Sequence, residues 1–440
     1  MLLRRVYSVL IRKILLSHQR YVHPSKKGNL ATMKLDSPQF KSLFTPELTR
    51  LVSIFKKYDH ELRIAGGAVR DLLMGIEPHD VDFATTATPD EMKELFELEG
   101  VRMINNKGEK HGTITARIND KDNFEVTTLR IDVVTDGRHA EVEFTRDWQL
   151  DANRRDLTIN AMFLGFDGTV YDYFNGMSDL QQRCLRFVGN ASERIQEDYL
   201  RILRYFRFYG RIAKGPKCHE EETLAAIKKN ASGLAGVSGE RIWVELKKII
   251  VGNFASSIID DMVSLGVGEF IGFPPHPDLK EFHAVCERTV NLSPQCLTLM
   301  SGLFQDEQEV YILNKRLKMS NEEVKLGLFI VKHRSDYMTD RPVKYCMDLL
   351  IDSAGKEPKV KDKICELLKY HGEKELLQVF TAWTPPPFPV TGYDLVERKV
   401  PKGPIFTKTL NELRQIWKKS DFKMSKEDLL AKIDEVVKTV

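Results

Sequence analysis

The sequence predicts an α+β protein: a mixed head of short strands and helices, followed by a long all-helical portion. Three observations carry this. Runs of β-branched and aromatic residues, bounded by turn residues, cluster between residues 61 and 144. From about residue 178 onward strand signals fade and the apolar period becomes that of helices. The composition, 42% hydrophobic and 29% charged among 440 residues, is that of folded domains and excludes low-complexity or wholly disordered chains. No apolar run approaches the roughly 20 residues that a membrane helix needs. The longest, Leu326–Val331, is far shorter, so no membrane partner is expected.

The amino-terminal segment stands apart. Residues 1–35 carry eight Lys and Arg and no acid, so the formal net charge of +3 conceals a remainder of −5. Any nucleic acid must then be held by local basic patches, because the global charge does not help. Leu2, Leu3, Val6, Leu10, Ile14 and Leu15 recur at near-helical spacing. Residues 1–32 thus have the profile of a mitochondrial transit peptide, with a disordered basic tail as the plainer alternative. Acids first appear after Met33-Lys34-Leu35, so a start at Met33 would give a second, cytosolic form.

Glu61–Ala65 reads as a strand, turned by Gly66-Gly67 into a helix over Ala68–Met74. Val81–Ala84 is a second strand. Thr88-Pro89 opens a helix over Glu91–Leu98, Thr as cap and Pro in the first turn. Asn105–Gly112 is a polar loop. Thr113–Ile118, Phe124–Ile131 and Glu141–Phe144 read as strands. Helices follow over Glu193–Arg211, Glu220–Lys229, Gly239–Val251 and Phe254–Leu265, then near 278–290, 308–316, 320–333, 358–370 and 373–382. Thr384–Pro389 (TPPPFP) is a stiff linker. The last segment holds Arg398, Lys399, Lys402, Lys408, Arg414, Lys418, Lys419 and Lys423. The six cysteines form no C-x-x-C pair and the histidines no ligand spacing, so neither predicts a zinc site.

Four strings carry chemistry. Gly66-Gly67-Ala68-Val69-Arg70-Asp71 joins strand to helix. Its glycines let backbone approach a bound group, and the N–H groups of the helix start, with Arg70 a turn in, favour phosphate. Asp80-Val81-Asp82 places two carboxylates on one face of a strand, where they repel unless they share a cation. Oxygen ligands with phosphates completing the shell suit Mg2+, and two metals serve nucleotidyl transfer. Two solvated loop acids are the plainer reading. Glu125 is a candidate third carboxylate. In Arg154-Arg155-Asp156-Leu157-Thr158-Ile159-Asn160, an Arg would offset anionic oxygens, unless the cluster is a solvated ion pair. In the helix holding Glu197-Asp198-Tyr199-Leu200-Arg201, Asp198, Arg201, Tyr205 and Phe208 share a stripe. Asp198 and Arg201 are either a surface i,i+3 pair or a base-edge reader. Such a reader accepts from the exocyclic amine of cytosine or adenine and rejects uracil and guanine, while Arg204 and Arg207 reach phosphate.

These strings, with Ser238–Ile249 (SGERIWVELKKI), occur in order and at fitting separations. Together they closely resemble the class II CCA-adding enzymes, tRNA nucleotidyltransferases of the polymerase-β superfamily, in their eukaryotic mitochondrial and cytosolic form. The resemblance is strong over about 60–265 and weaker in the tail. It implies a head at 36–170, a helical base-reading neck at 171–265, a helical body at 266–383 and a basic tRNA-binding tail at 384–440. It implies addition of C, C and A to tRNA 3′ ends from CTP and ATP, without a nucleic-acid template. Asp80 and Asp82 would bind Mg2+ and carry catalysis. Gly66, Gly67, Arg70, Arg155, Asp198, Arg201, Arg204 and Arg207 would bind nucleotide. Ser238–Arg241 would open a helix buttressing the reading helix. Asn105–Gly112 would be the loop involved in the switch from C to A. A bacterial-type poly(A) polymerase shares the head and neck strings and is the nearest alternative. A non-catalytic RNA binder on the same fold is a further one, against which the intact Asp80/Asp82 pair speaks.

Overall fold

A computed structural model describes residues 33–104, 106–135, 140–337, 341–353 and 359–439. The leader over 1–32 and Asn105 therefore lie outside the described residues. The chain divides into two compact units, one ending at Val237 and one beginning at Ser238.

Among its described residues the first unit holds nine strands: β1 (Leu62–Ala65), β2 (Asp82–Thr85), β3 (Arg102–Ile104), β4 (Thr113–Ile118), β5 (Asp122–Thr128), β6 (Arg130–Thr135), β7 (Ala140–Phe144), β8 (Met162–Leu164) and β9 (Val170–Asp172). Seven form one sheet in the order β3-β4-β5-β2-β1-β8-β9, and β6 and β7 form a separate ribbon. Neighbours run antiparallel except β2 and β5, which are parallel. The expected strand Phe124–Ile131 is thus two strands in two sheets. It breaks at Leu129, whose N–H donates to Thr85 and whose carbonyl accepts from Thr145, both at 2.9 Å. β3, β8 and β9 span three residues each, too short for a two-residue period to show. The helices Pro38–Ser42 and Pro46–Lys57 were also not predicted, although Ser37 and Thr45 cap them and each starts on Pro. Thr88 and Glu91 close a reciprocal capping box on Pro89–Leu98.

The folded head takes in Met33 itself. The Met33 carbonyl accepts from Val170 N–H at 2.9 Å, and Leu35 N–H donates to Gly168 at 2.8 Å.

The single helix expected over Glu193–Arg211 is two, Ala191–Glu197 and Arg201–Ile212. Asp198 is extended (φ −153°, ψ 103°), and its carboxylate accepts from Leu200 N–H at 3.2 Å. A short acid that offers the backbone a side-chain partner competes with the helical bond, which is why the helix breaks there. On Arg201–Ile212, Tyr205 and Phe208 are buried, so the stripe they share with Arg201 runs into the core. The half-exposed positions are Arg201, Arg204 and Arg207, at three-residue spacing.

Every regular element among the second unit's described residues is a helix. Gly239 starts Gly239–Ile250 against Arg316, where a Cβ would stand 2.0 Å from the Arg316 carbonyl oxygen. Ser238 occupies the cap position without a side-chain cap bond. Towards the carboxyl end, Leu395, Leu413, Trp417, Leu429, Ile433 and Val436 form a small core. Phe388 packs edge-on to Trp417 at 5.3 Å, so the TPPPFP segment is anchored at its Phe.

Candidate active site

The site begins at the end of β1. Gly66 adopts φ 65°, ψ −116°, a conformation that residues with a Cβ avoid. A Cβ there would also lie 2.9 Å from the Arg155 guanidinium. Antiparallel pairing sets Ala65 opposite Asp82. The glycine turn and the two aspartates, separate in sequence, therefore stand side by side.

Asp80 and Asp82 are both exposed. Asp82 borders two cavities of opposite character. One, of about 900 Å³, is lined by His79, Asp80, Asn123 and Glu125 among others. The other, of about 240 Å³, is lined by Ala65, Thr113, Thr127, Arg130, Asp151, Arg154 and Arg155. Desolvation pushes the Asp82 carboxyl above the ordinary carboxylate range, Arg155 opposes this, and the Asp80 charge adds to it. Parallel pairing of Phe83 with Val126 puts Glu125 beside Asp82 on the same face. Among the described residues, no three His, Cys, Asp or Glu side chains gather closely enough to hold an ion by themselves.

Asp151 organises the basic side. It is buried, and its carboxylate accepts from Arg130 N–H at 3.2 Å, Arg154 Nε at 2.8 Å and Arg155 Nη2 at 3.0 Å. Burial favours its neutral form, but Arg155 and Arg154 outweigh that and hold it ionised. Arg130, by contrast, is pulled down to about 10, by burial first and then by Arg154. Its side chain also donates to the His111 carbonyl at the end of the 3₁₀ helix Asn106–His111. Three arginines around one small cavity beside Asp82 form a site for an anionic chain of oxygens.

A second buried acid, Asp156, ties this motif to the helix Arg201–Ile212. It accepts from Arg204 Nε and Nη2, both at 2.6 Å, and from Leu157 N–H at 2.8 Å. It also accepts from Asn160 Nδ2 at 3.2 Å. Asn160 in turn accepts from Arg70. Arg70 is itself buried, with its side chain 4% exposed, and pairs with Asp71, which also takes Arg211 at 2.9 Å. Arg70 therefore stands within the framework behind the glycine turn. Arg201 is held too: Nη1 donates to Glu197 at 2.6 Å and to the Arg194 carbonyl at 3.0 Å, and Nη2 to the Arg154 carbonyl at 2.9 Å. It is oriented by Glu197, where the sequence suggested Asp198. Arg207 lies over the Phe208 ring at 4.3 Å.

The structure thus brings Asp82 and Arg155 to one cavity beside the Gly66 turn, and Arg201 and Arg204 onto the motif that frames it. Asp151, Arg130 and Asn160 escaped sequence reasoning. Only Asp151 left a local signal, three and four residues ahead of Arg154 and Arg155 on one helical turn. Of the tail's cations, Lys418 is buried on Asp352 and Arg414 lies over Phe388.

A family profile described as poly A polymerase head domain matches residues 62–186. Another, described as probable RNA and SrmB-binding site of polymerase A, matches 219–279. The mitochondrial CCA tRNA nucleotidyltransferase 1 of Mus musculus is 57% identical over 411 residues, 92% of this chain and 94% of its own. The Homo sapiens protein of the same name matches with the same identity and coverage. In fold, the chain resembles the Bacillus stearothermophilus CCA-adding enzyme in complex with CTP, at TM-score 0.71 and 24% identity, over 92% of this chain and 99% of the other.

Proposed function

Because the chain belongs to the CCA tRNA nucleotidyltransferase family, we propose a division of labour among its own residues for that reaction. The protein is an RNA nucleotidyltransferase that adds C, C and A to the 3′ end of tRNA from CTP and ATP. It is the mitochondrial form, and a divalent metal serves it as it serves the family. The poly(A) polymerase reading rests only on head and neck strings that both families share, whereas the relatives that match nearly the whole chain are CCA-adding.

The observation that carries the assignment is the meeting of Asp82 with Arg130, Arg154 and Arg155 at one cavity beside the Gly66 turn. Asp80 and Asp82 are hard oxygen donors whose mutual repulsion a cation relieves, which suits Mg2+. When bound, such ions acidify the attacking hydroxyl and stabilise charge on the departing pyrophosphate. Arg155 and Arg154, fixed by Asp151, offset the triphosphate oxygens. Gly66 lets the nucleotide approach the backbone. Asp198 and Arg201 read the base edge, with Arg201 pre-set by Glu197 and the Arg154 carbonyl. Arg204 and Arg207 flank that edge, and Asp156 fixes Arg204. Arg70 acts from behind the turn through Asn160. Translation from Met33 supplies a second form outside the mitochondrion, consistent with the pairing of Met33 to Val170.

The test uses purified protein, tRNA lacking its last three nucleotides, Mg2+ and all four NTPs, with Asp80→Ala as control. The product should end in C-C-A and stop, and the control should be blank. A heterogeneous run of A would reject the reading in favour of a poly(A) polymerase.

A further inference from the structure

The helix Arg201–Ile212 is gripped by the head along one stripe. Positions 201, 204, 208 and 211 lie three, four and three residues apart and so share a face. Each meets a residue of the strings at 66–71 or 154–160. Arg201 donates to the Arg154 carbonyl, and Arg204 to the Asp156 carboxylate. The guanidinium carbon of Arg70 lies 4.9 Å from the centre of the Phe208 ring. Arg211 Nη2 donates to Asp71 at 2.9 Å. The first half of the helix thus rests on the motif beside the Asp82 cavity. The second half rests on the helix Gly67–Leu73, which leaves the glycine turn.

Arg211 is the outermost of these grips. Asp71 is buried and already pairs with Arg70 at 2.9 Å. Arg211 adds a second guanidinium to the same carboxylate, from a side chain that is 47% exposed. Burial and, against Asp71, the Arg211 charge push the Arg70 guanidinium down, so the second cation has a cost. A half-exposed pair contributes little stability in return. What it supplies is geometry. A helix held only near its start can roll about its axis, and Arg211 holds it ten residues on, about 15 Å along that axis. A roll would swing Arg201 across the base edge while the glycine turn and Arg155 keep the triphosphate in place. We propose that Arg211 is a positioning residue for base choice: through Asp71 it sets the roll of this helix against the glycine turn, and with it the place of Arg201 at the incoming base. This rests on the base-reading account of Asp198 and Arg201 and deepens it.

The test compares Arg211→Gln, Arg211→Lys, Asp71→Asn and the double variant Asp71→Asn/Arg211→Gln in the full chain, with Asp198→Ala as reference. CTP and UTP compete for addition to tRNA lacking CCA, and KM for the tRNA and Tm are measured alongside. Arg211→Gln should lower the preference for C over U about 5- to 20-fold, with KM for the tRNA and Tm close to wild type. Arg211→Lys, which keeps a cation on Asp71, should recover most of the lost preference. The double variant should discriminate no worse than Asp71→Asn alone, because both changes break one contact. A preference within twofold of wild type in Arg211→Gln, when Asp198→Ala has lost it, overturns the proposal. So does a raised KM for the tRNA with the preference intact, which would assign Arg211 to an RNA phosphate. A lowered Tm with the preference intact overturns it too and leaves a structural ion pair. An unchanged preference in Asp198→Ala would instead refute the base-reading account beneath it.

Discussion

At the scale of residues, the site is set by a few groups whose environment works against them. Asp82 is ionised at a cost, since desolvation and Asp80 both favour its neutral form. Asp82→Asn should abolish nucleotide addition while raising Tm in metal-free buffer, and Mg2+ should then stabilise the wild type only. A lower Tm would refute the strained-carboxylate account. Asp156 is the opposite case. Burial favours its neutral form, but the Arg204 charge and hydrogen bonds outweigh burial and hold its pKa down. A lowered carboxyl pKa stabilises the fold fully above the unfolded value of about 3.9, and that contribution fades as pH falls through the folded value. Asp156→Ala should therefore cost about 2–4 kcal/mol at neutral pH, since Arg204 loses its buried partner. Denaturant unfolding at pH 7 and below pH 4 checks both claims: the gap between wild type and variant should shrink in acid. Gly66→Ala meets an unfavourable backbone conformation, worth about 1–3 kcal/mol, and presses on Arg155. Thermal melting should show the loss, and kcat should fall with it.

At the scale of elements, the informative feature is the break between Ala191–Glu197 and Arg201–Ile212. Period alone favours one helix through this stretch, because Ile195, Tyr199, Ile202, Phe206 and Tyr209 keep helical spacing across it. The competing bond from Leu200 N–H to the Asp198 carboxylate decides otherwise. The break separates the tasks of two acids: Glu197 grips Arg201, and Asp198 is released from helical geometry. Asp198→Ala should lose selectivity for C over U before it loses fold. Glu197→Ala, which contacts no base in this account, should also lower that selectivity, by about tenfold for a reading arginine left unoriented. Misincorporation assays with CTP and UTP in competition distinguish them from wild type. Unchanged discrimination in both variants would remove Arg201 from base reading.

At the scale of the whole molecule, the Met33–Leu35 stretch is part of the head. Two backbone hydrogen bonds tie that stretch to residues 168–170, each worth about 0.5–1.5 kcal/mol net. A protein beginning at Met33 should fold and add C-C-A as the full chain does, whereas one beginning at Asp36 should melt earlier. Equal melting of the two shortened forms would show that the stretch contributes nothing to the head.

The sequence alone determined the fold class, the identity of the chemical strings and most helices between residues 191 and 333, but it did not locate the helices Pro46–Lys57, Pro342–Ser353 and Pro404–Lys419. These features are local: helical period, cap residues and glycine turns act within a few positions. It did not reveal the three-residue strands, the division of Phe124–Ile131 between two sheets or the partners of the arginines. Those depend on which distant segments come to lie side by side. Arg70 looked like a phosphate ligand in its own string and is buried on Asn160, ninety positions away. Arg201 has an acid three residues before it and uses the one four residues before, because the intervening backbone is extended. Only the tertiary structure could decide these, because a charged side chain takes the partner that burial leaves within reach, and burial is a property of the assembled chain.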